Sequence, residues 1–144
     1  MISATSFPLS GAKEAQNENR LLEWVLSYLR SEANNEALAK RFKSSKPIYF
    51  TLQEIPLSRF KRIIGPEQGI LFPESAEVFE ERVGSLQSDL KEGAEFPPLI
   101  VTDFWTLGDL QDGAHRHEAL LREGFITYHA IVCFEKEESL KFLD

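Results

Sequence analysis

The stretch Asp112-Gly113-Ala114-His115-Arg116-His117-Glu118-Ala119-Leu120-Leu121-Arg122-Glu123-Gly124 reads as the end of a strand, a tight turn and a short helix. Gly113 supplies the turn, because glycine enters left-handed backbone without steric cost. Ala119, Leu120 and Leu121 give the helix an apolar side to bury, and Gly124 stands where a glycine commonly closes a helix. His115 and Arg116 fall in the first turn, beside amide groups that lack a helical partner, and that combination suits an anion. A basic pair at this end opposes the helix dipole by roughly a few tenths of a kcal/mol, a cost that a bound anion would remove. The same residues read equally well as a plain turn carrying two solvated side chains.

Working outward, Leu99-Ile100-Val101-Thr102 is a short apolar strand and Asp109-Leu110-Gln111 pairs back on it as a hairpin that delivers Asp112 into the turn. Phe104-Trp105-Thr106-Leu107-Gly108 links the two. On the far side, Thr127 to Phe134 is the longest strand signal, and Lys136 to Leu143 is a charged helix or tail. Upstream, Ile48 to Leu52 is β-branched and aromatic enough for a first strand. Ile55-Pro56-Leu57 then leads through Arg62-Ile63-Ile64 into a turn-rich loop, Gly65-Pro66-Glu67-Gln68-Gly69. Pro73-Glu74-Ser75 opens a helix with Phe79, Val83, Leu86 and Leu90 on one stripe and an acidic, solvated face.

The N-terminal third has a different character. Met1 to about Glu14 shows no periodicity and is expected to be a loose arm. From Asn17 the pattern turns helical, with Leu21, Leu22, Val25, Tyr28 and Leu29 at spacings of three and four, and Asn34-Asn35 offers a cap for a second helix, Glu36 to Phe42. Lys46-Pro47 ends this preface. Its apolar stripe serves either to pack on the main domain or to form a lid or dimerisation face, and packing is the simpler expectation. The predicted fold class is α+β, a small mixed sheet with helices packed around it, with residues 47–144 as one compact unit behind an arm and helical extension over 1–46.

Composition narrows the function. The chain has 144 residues, 42% of them hydrophobic, enough for one core. Sixteen Lys and Arg residues against 23 Asp and Glu give a net charge of −7, which disfavours nucleic acid as a partner because duplex binding needs clustered cations. The lone Cys133 allows neither an internal disulfide nor a multi-cysteine metal site. No window approaches the ~18 consecutive apolar residues of a membrane span, so a soluble, cytoplasmic protein is expected. His115 and His117 look like a metal pair, but residues two apart on a helix point to nearly opposite sides, and no metal site is expected there. His129, Trp24 and Trp105 are read as structural.

The order of these elements, together with the glycine, one residue, then His-Arg at the head of an Ala-Leu helix, resembles the ParB N-terminal/sulfiredoxin-like superfamily over roughly Tyr49 to Phe134. The resemblance implies a nucleotide site with phosphates at the head of this helix: Gly113 and Ala114 as the close-approaching turn, His115 and Arg116 as phosphate ligands. Sulfiredoxins carry a catalytic cysteine where this chain has Ala114, so sulfinic acid reduction is not expected. Partition proteins carry a Glu-Arg-Arg version of the motif and continue into a helix-turn-helix domain, which this acidic chain does not match.

The free-serine-kinase type is most similar, with Asp-Gly, one residue and His-Arg, although it has a histidine at the place of Ala114. That branch implies ATP or another nucleotide with Mg²⁺, a small hydroxyl-bearing acceptor, and a catalytic glutamate in the loop after the first strand. Glu67 is the best match for that base, with Glu54 and Glu74 as competitors, and Asp112 would position the acceptor or metal. The expectation is an ATP-dependent phosphotransferase of kinase type. The alternative is a non-catalytic, nucleotide-responsive ParB-like binding module, using the N-terminal helices toward a protein partner or a second copy.

Overall fold

In the computed structural model, the described residues are 5–43, 49–102 and 108–134. The expectations at Lys46-Pro47 and Ile48, at the Phe104 to Leu107 link with Trp105, and at the Lys136 to Leu143 tail lie outside them.

The chain begins with three helices, α1 (Leu9–Asn17), α2 (Leu21–Arg30) and α3 (Glu36–Phe42). The loose arm expected up to Glu14 is therefore corrected: α1 starts at Leu9 and buries Ala12 and Ala15. No apolar stripe announced this helix, because two alanines are small enough to lie flush against the neighbouring layer without one. As expected, Asn35 caps α3, its side chain accepting from the Leu38 amide.

Strand β1 (Tyr49–Pro56) follows, then a 3₁₀ turn at Leu57–Arg59, β2 (Phe60–Arg62) and two two-residue strands, β3 (Ile64–Gly65) and β4 (Phe72–Pro73), which pair in parallel. Helix α4 (Ala76–Lys91) is capped by Ser75. After it come β5 (Leu99–Thr102), β6 (Gly108–Asp112), α5 (Ala114–Arg122) and β7 (Thr127–Phe134). Five strands form one mixed sheet in the order β1-β7-β5-β6-β2. β1 and β7 run antiparallel, β5 and β7 parallel, β5 and β6 antiparallel, and β2 and β6 parallel. The architecture is α+β, and the β5–β6 hairpin is the one expected from the sequence.

Alternation along the strands sorts the core into two faces. Phe50, Leu52, Ile100, Ile131 and Cys133 face α1, α2 and α3, meeting Trp24, Val25, Leu29, Leu38 and Phe42. Ile55, Leu99, Val101, Ala130 and Val132 face the other way, toward Leu120 of α5 and the partly buried Leu86 and Leu90 of α4. The apolar stripe of the N-terminal helices is thus spent on the sheet, the packing use of the two considered. Phe79 and Val83 of α4 interlock with Ala119 of α5 in a third cluster.

One side chain closes the outer edge of the sheet. The Gln16 carboxamide accepts from the Leu52 amide at 2.6 Å and donates to the Leu52 carbonyl at 3.5 Å, standing in for a neighbouring strand on β1. No helix among the described residues is long and apolar enough to cross a membrane.

Candidate functional site

Strand β6 runs into Gly113, whose φ of 105° and ψ of 24° turn the backbone into α5. The first helical bond there is donated by the His117 amide to the Gly113 carbonyl at 2.8 Å. The amides of Ala114, His115 and Arg116 precede it, and Gly113 offers no side-chain cap. This is the expected helix head, built by a glycine that tertiary packing also demands: a Cβ at 113 would lie 2.6 Å from Leu99 Cδ2 and 3.0 Å from Arg116 Nη2.

The residues of the motif divide between two sides of α5. Arg116 turns inward and is buried, its Nη2 donating to Asp112 Oδ2 at 2.5 Å and its Nη1 to the carbonyls of Pro97 at 2.8 Å and Pro98 at 3.2 Å. Asp112 Oδ2 also accepts from the Tyr28 hydroxyl at 2.8 Å. Burial works against the guanidinium's charge, and the Asp112 carboxylate opposes that effect; the net result is a raised pKa. Asp112 and Arg116, assigned by the resemblance to acceptor and phosphate, are here each other's partners. The reason is helical spacing: Arg116 precedes Ala119 and Leu120 by three and four positions, so it shares their buried face. That signal was present in the sequence.

His115 turns outward. Its Nε2 lies 2.6 Å from Glu74 Oε1, and its ring tilts against Phe79 with centroids 5.4 Å apart. Phe79 also carries the Arg62 guanidinium, 4.7 Å above its ring. Arg62 donates to both carboxylate oxygens of Glu67 and to the Ile64 carbonyl at 3.0 Å, and lies 3.9 Å from Glu118 Oε1 on α5. The loop between β2 and α4 is therefore folded onto α5, with Glu67 on Arg62 and Glu74 on His115. Of the three glutamates considered, Glu54 lies apart on β1, accepting from the Thr127 hydroxyl at 2.9 Å. The hydrogen bond from Arg62 holds the Glu67 carboxyl below its usual range, although Glu67 stays half-exposed.

An open cleft of about 450 Å³ lies alongside, lined by Phe60, Arg62, Glu67, Ile70, His117 and Leu121 among others. His117 is buried against the 3₁₀ turn, with Nε2 2.8 Å from the Leu57 carbonyl. A carbonyl only accepts, so Nε2 carries the proton and Nδ1, which has no partner, is left as a bare acceptor. His115 and His117 thus go to separate partners, and among the described residues no group of three or more His, Cys, Asp or Glu side chains is arranged for a metal ion. His129 sits on β7 opposite Glu54, and Cys133 is buried, with desolvation pushing its thiol pKa well up.

Burial lowers the His117 pKa, since the charged ring would lose its hydration. Its unfolded counterpart titrates near ~6.5. The neutral ring's contribution is complete above that value and is lost as pH falls through it toward the depressed folded value, by at most about 1.4 kcal/mol per pH unit. Urea unfolding of wild type and His117→Gln between pH 7.5 and 5 checks this: the variant should lose less stability on acidification. Parallel losses would show that His117 does not contribute.

No protein-family model matches the sequence, and no curated protein matches it. Among solved structures, the chain is similar to a Pnob8-like ParB-N domain at 17% identity and a TM-score of 0.39, over 65% of this chain and 33% of the other. The chain thus spans a third of that solved chain.

Tyr28, Arg62 and Glu118 are the site-lining groups that sequence reasoning missed. Tyr28 was read as one more member of an apolar stripe, but a hydroxyl on a buried helix face requires a polar partner, and that requirement was the available signal. Arg62 and Glu118 carried no local signal, because their meeting depends on how the loop folds back.

Proposed function

We propose that this chain is a nucleotide-responsive binding module of ParB-like type, holding nucleotide phosphates at the head of α5. The observation that carries the reading is the glycine-turned first turn, which has no side-chain cap and bears His115, whose ring meets Glu74. His115 would exchange Glu74 for a phosphate oxygen, and Arg116 would support the turn from beneath. The donors fit a phosphate group. A magnesium ion would come with the nucleotide and offset phosphate charge.

Binding without turnover is favoured over phosphotransfer by the state of the two carboxylates. A general base works best with a pKa near neutrality, whereas Arg62 draws Glu67 the other way and Asp112 is committed to Tyr28 and Arg116. One observation supports the kinase reading as the second choice: Arg62 of β2 holds Glu67 and also lies 3.9 Å from Glu118 on the same helix.

Calorimetric titration with ATP, CTP and ADP, with and without Mg²⁺, tests both readings. His115→Ala should weaken whichever nucleotide binds by about three- to tenfold, the value of one hydrogen bond. Glu67→Gln should leave binding within about twofold. Phosphorus NMR with hydroxyl acceptors should show no phosphorylated product under the module reading. Under the kinase reading product forms, and Glu67→Gln slows it by at least ~100-fold. Absence of binding by all three nucleotides would refute the proposal.

A further inference from the structure

The N-terminal helices reach the turn through the side chain of Tyr28. Tyr28 of α2 is buried, stacks on Trp24 with ring centroids 5.8 Å apart and 17° between planes, and meets the edge of Phe7 at 5.5 Å. Its ring is therefore held from the helical side. Its hydroxyl donates to Asp112 Oδ2 at 2.8 Å, across 84 positions of sequence, while the Arg116 guanidinium lies 5.8 Å from its ring centroid. Asp112 and Arg116 bracket Gly113, and Arg116 Nη2 sits 3.0 Å from where a Cβ on Gly113 would stand. The carbonyls of Pro97 and Pro98 fix the other end of the guanidinium. The turn thus rests on a guanidinium that is oriented by a carboxylate, which is oriented in turn by Tyr28.

We infer that Tyr28 is a positioning residue for the helix head: its hydroxyl holds Asp112 and, through it, Arg116 in the arrangement that presents the first-turn amides of α5. The inference rests on the proposed phosphate site for its functional consequence, but its structural content stands apart from it. The physical logic is that a carboxylate oxygen shared by two donors has its direction settled by both; with one removed, Asp112 can rotate and the guanidinium follows. The three helices then have a use beyond covering the sheet, since α2 and the turn share one hydrogen-bond network.

Tyr28→Phe in the full chain tests this, because it keeps the ring packing and removes only the donor. Amide hydrogen exchange reads the turn directly, at His117, whose amide bonds to the Gly113 carbonyl, and at Glu118. Exchange at these two should accelerate by about three- to tenfold, while Val83 in the middle of α4 stays unchanged. ATP affinity should fall by a similar factor. Leu38→Val, which alters the packing of the N-terminal helices from α3, should leave both the exchange at His117 and the ATP affinity within about twofold of wild type. Unaltered exchange at His117 in Tyr28→Phe, or equal acceleration at His117 and Val83, would overturn the inference. If wild type binds no ATP, the phosphate site fails while the exchange pattern still decides whether Tyr28 positions the turn; altered exchange at His117 with unaltered affinity in a binding-competent protein would also overturn it.

Discussion

Asp112→Ala will lower the free energy of unfolding by about 3–5 kcal/mol, the scale on which breaking a buried ion pair leaves one charge uncompensated. The side chains of Arg116 and Asp112 are 10% and 17% exposed, so the guanidinium left behind cannot recover a full hydration shell. Arg116 would keep its bonds to the Pro97 and Pro98 carbonyls, which carry only partial charge, and Tyr28 would lose its acceptor. The asymmetry of buried pairs supplies a control. Adding Arg116→Met to Asp112→Ala removes the stranded charge while keeping an unbranched chain in the same space, and should recover at least half of the loss. Urea denaturation of the two variants measures both values. A cost for Asp112→Ala below about 1 kcal/mol would place the pair with exposed ion pairs and refute its structural role.

Gly113→Ala is expected to cost about 2–5 kcal/mol. Two effects add: left-handed backbone costs a residue with a Cβ roughly 1–2 kcal/mol, and forcing a methyl into packed surroundings costs roughly 1–3 kcal/mol more. The second effect is concrete here, because the new Cβ would meet Leu99 Cδ2 at 2.6 Å, and Leu99 is fully buried in the central strand β5. Gly124→Ala separates the two. Gly124 has a φ of 86° but open space where the Cβ would stand, so only the backbone cost of about 1–2 kcal/mol applies. Thermal unfolding of the pair should show a clearly larger drop for position 113. Equal drops would mean that the β5 contact yields freely and that the turn is set by backbone conformation alone.

Much of the fold could be read locally because its determinants are local. Alternation in Leu99 to Thr102 and in Tyr128 to Cys133 places successive side chains on opposite faces of the sheet, whatever strands lie beside them. Ser75 caps α4 through its own third neighbour, and Gly113 and Gly124 bracket α5 at positive φ. Helix α1 escaped such a reading, since its buried contacts are two alanines whose significance depends on what they are pressed against.

The candidate site divides along the same line. By itself the sequence determined that Gly113 would turn the chain, that α5 would begin there with its amides uncapped, and that His115 and Arg116 would stand in its first turn, because all of this is settled within one helical turn of covalent neighbours. Helical spacing also put Arg116 on the buried face of Ala119 and Leu120, but only the tertiary structure decided which partners the charges meet. Arg116 keeps its charge on that face because Asp112, four residues back, is joined there by Tyr28 and two proline carbonyls from other segments. His115 goes outward to Glu74, and Glu67 goes to Arg62, because a loop with little regular structure folds back on the helix. Direction is a property of partners, and partners far apart in sequence are brought together only when the sheet and its two helical layers have closed.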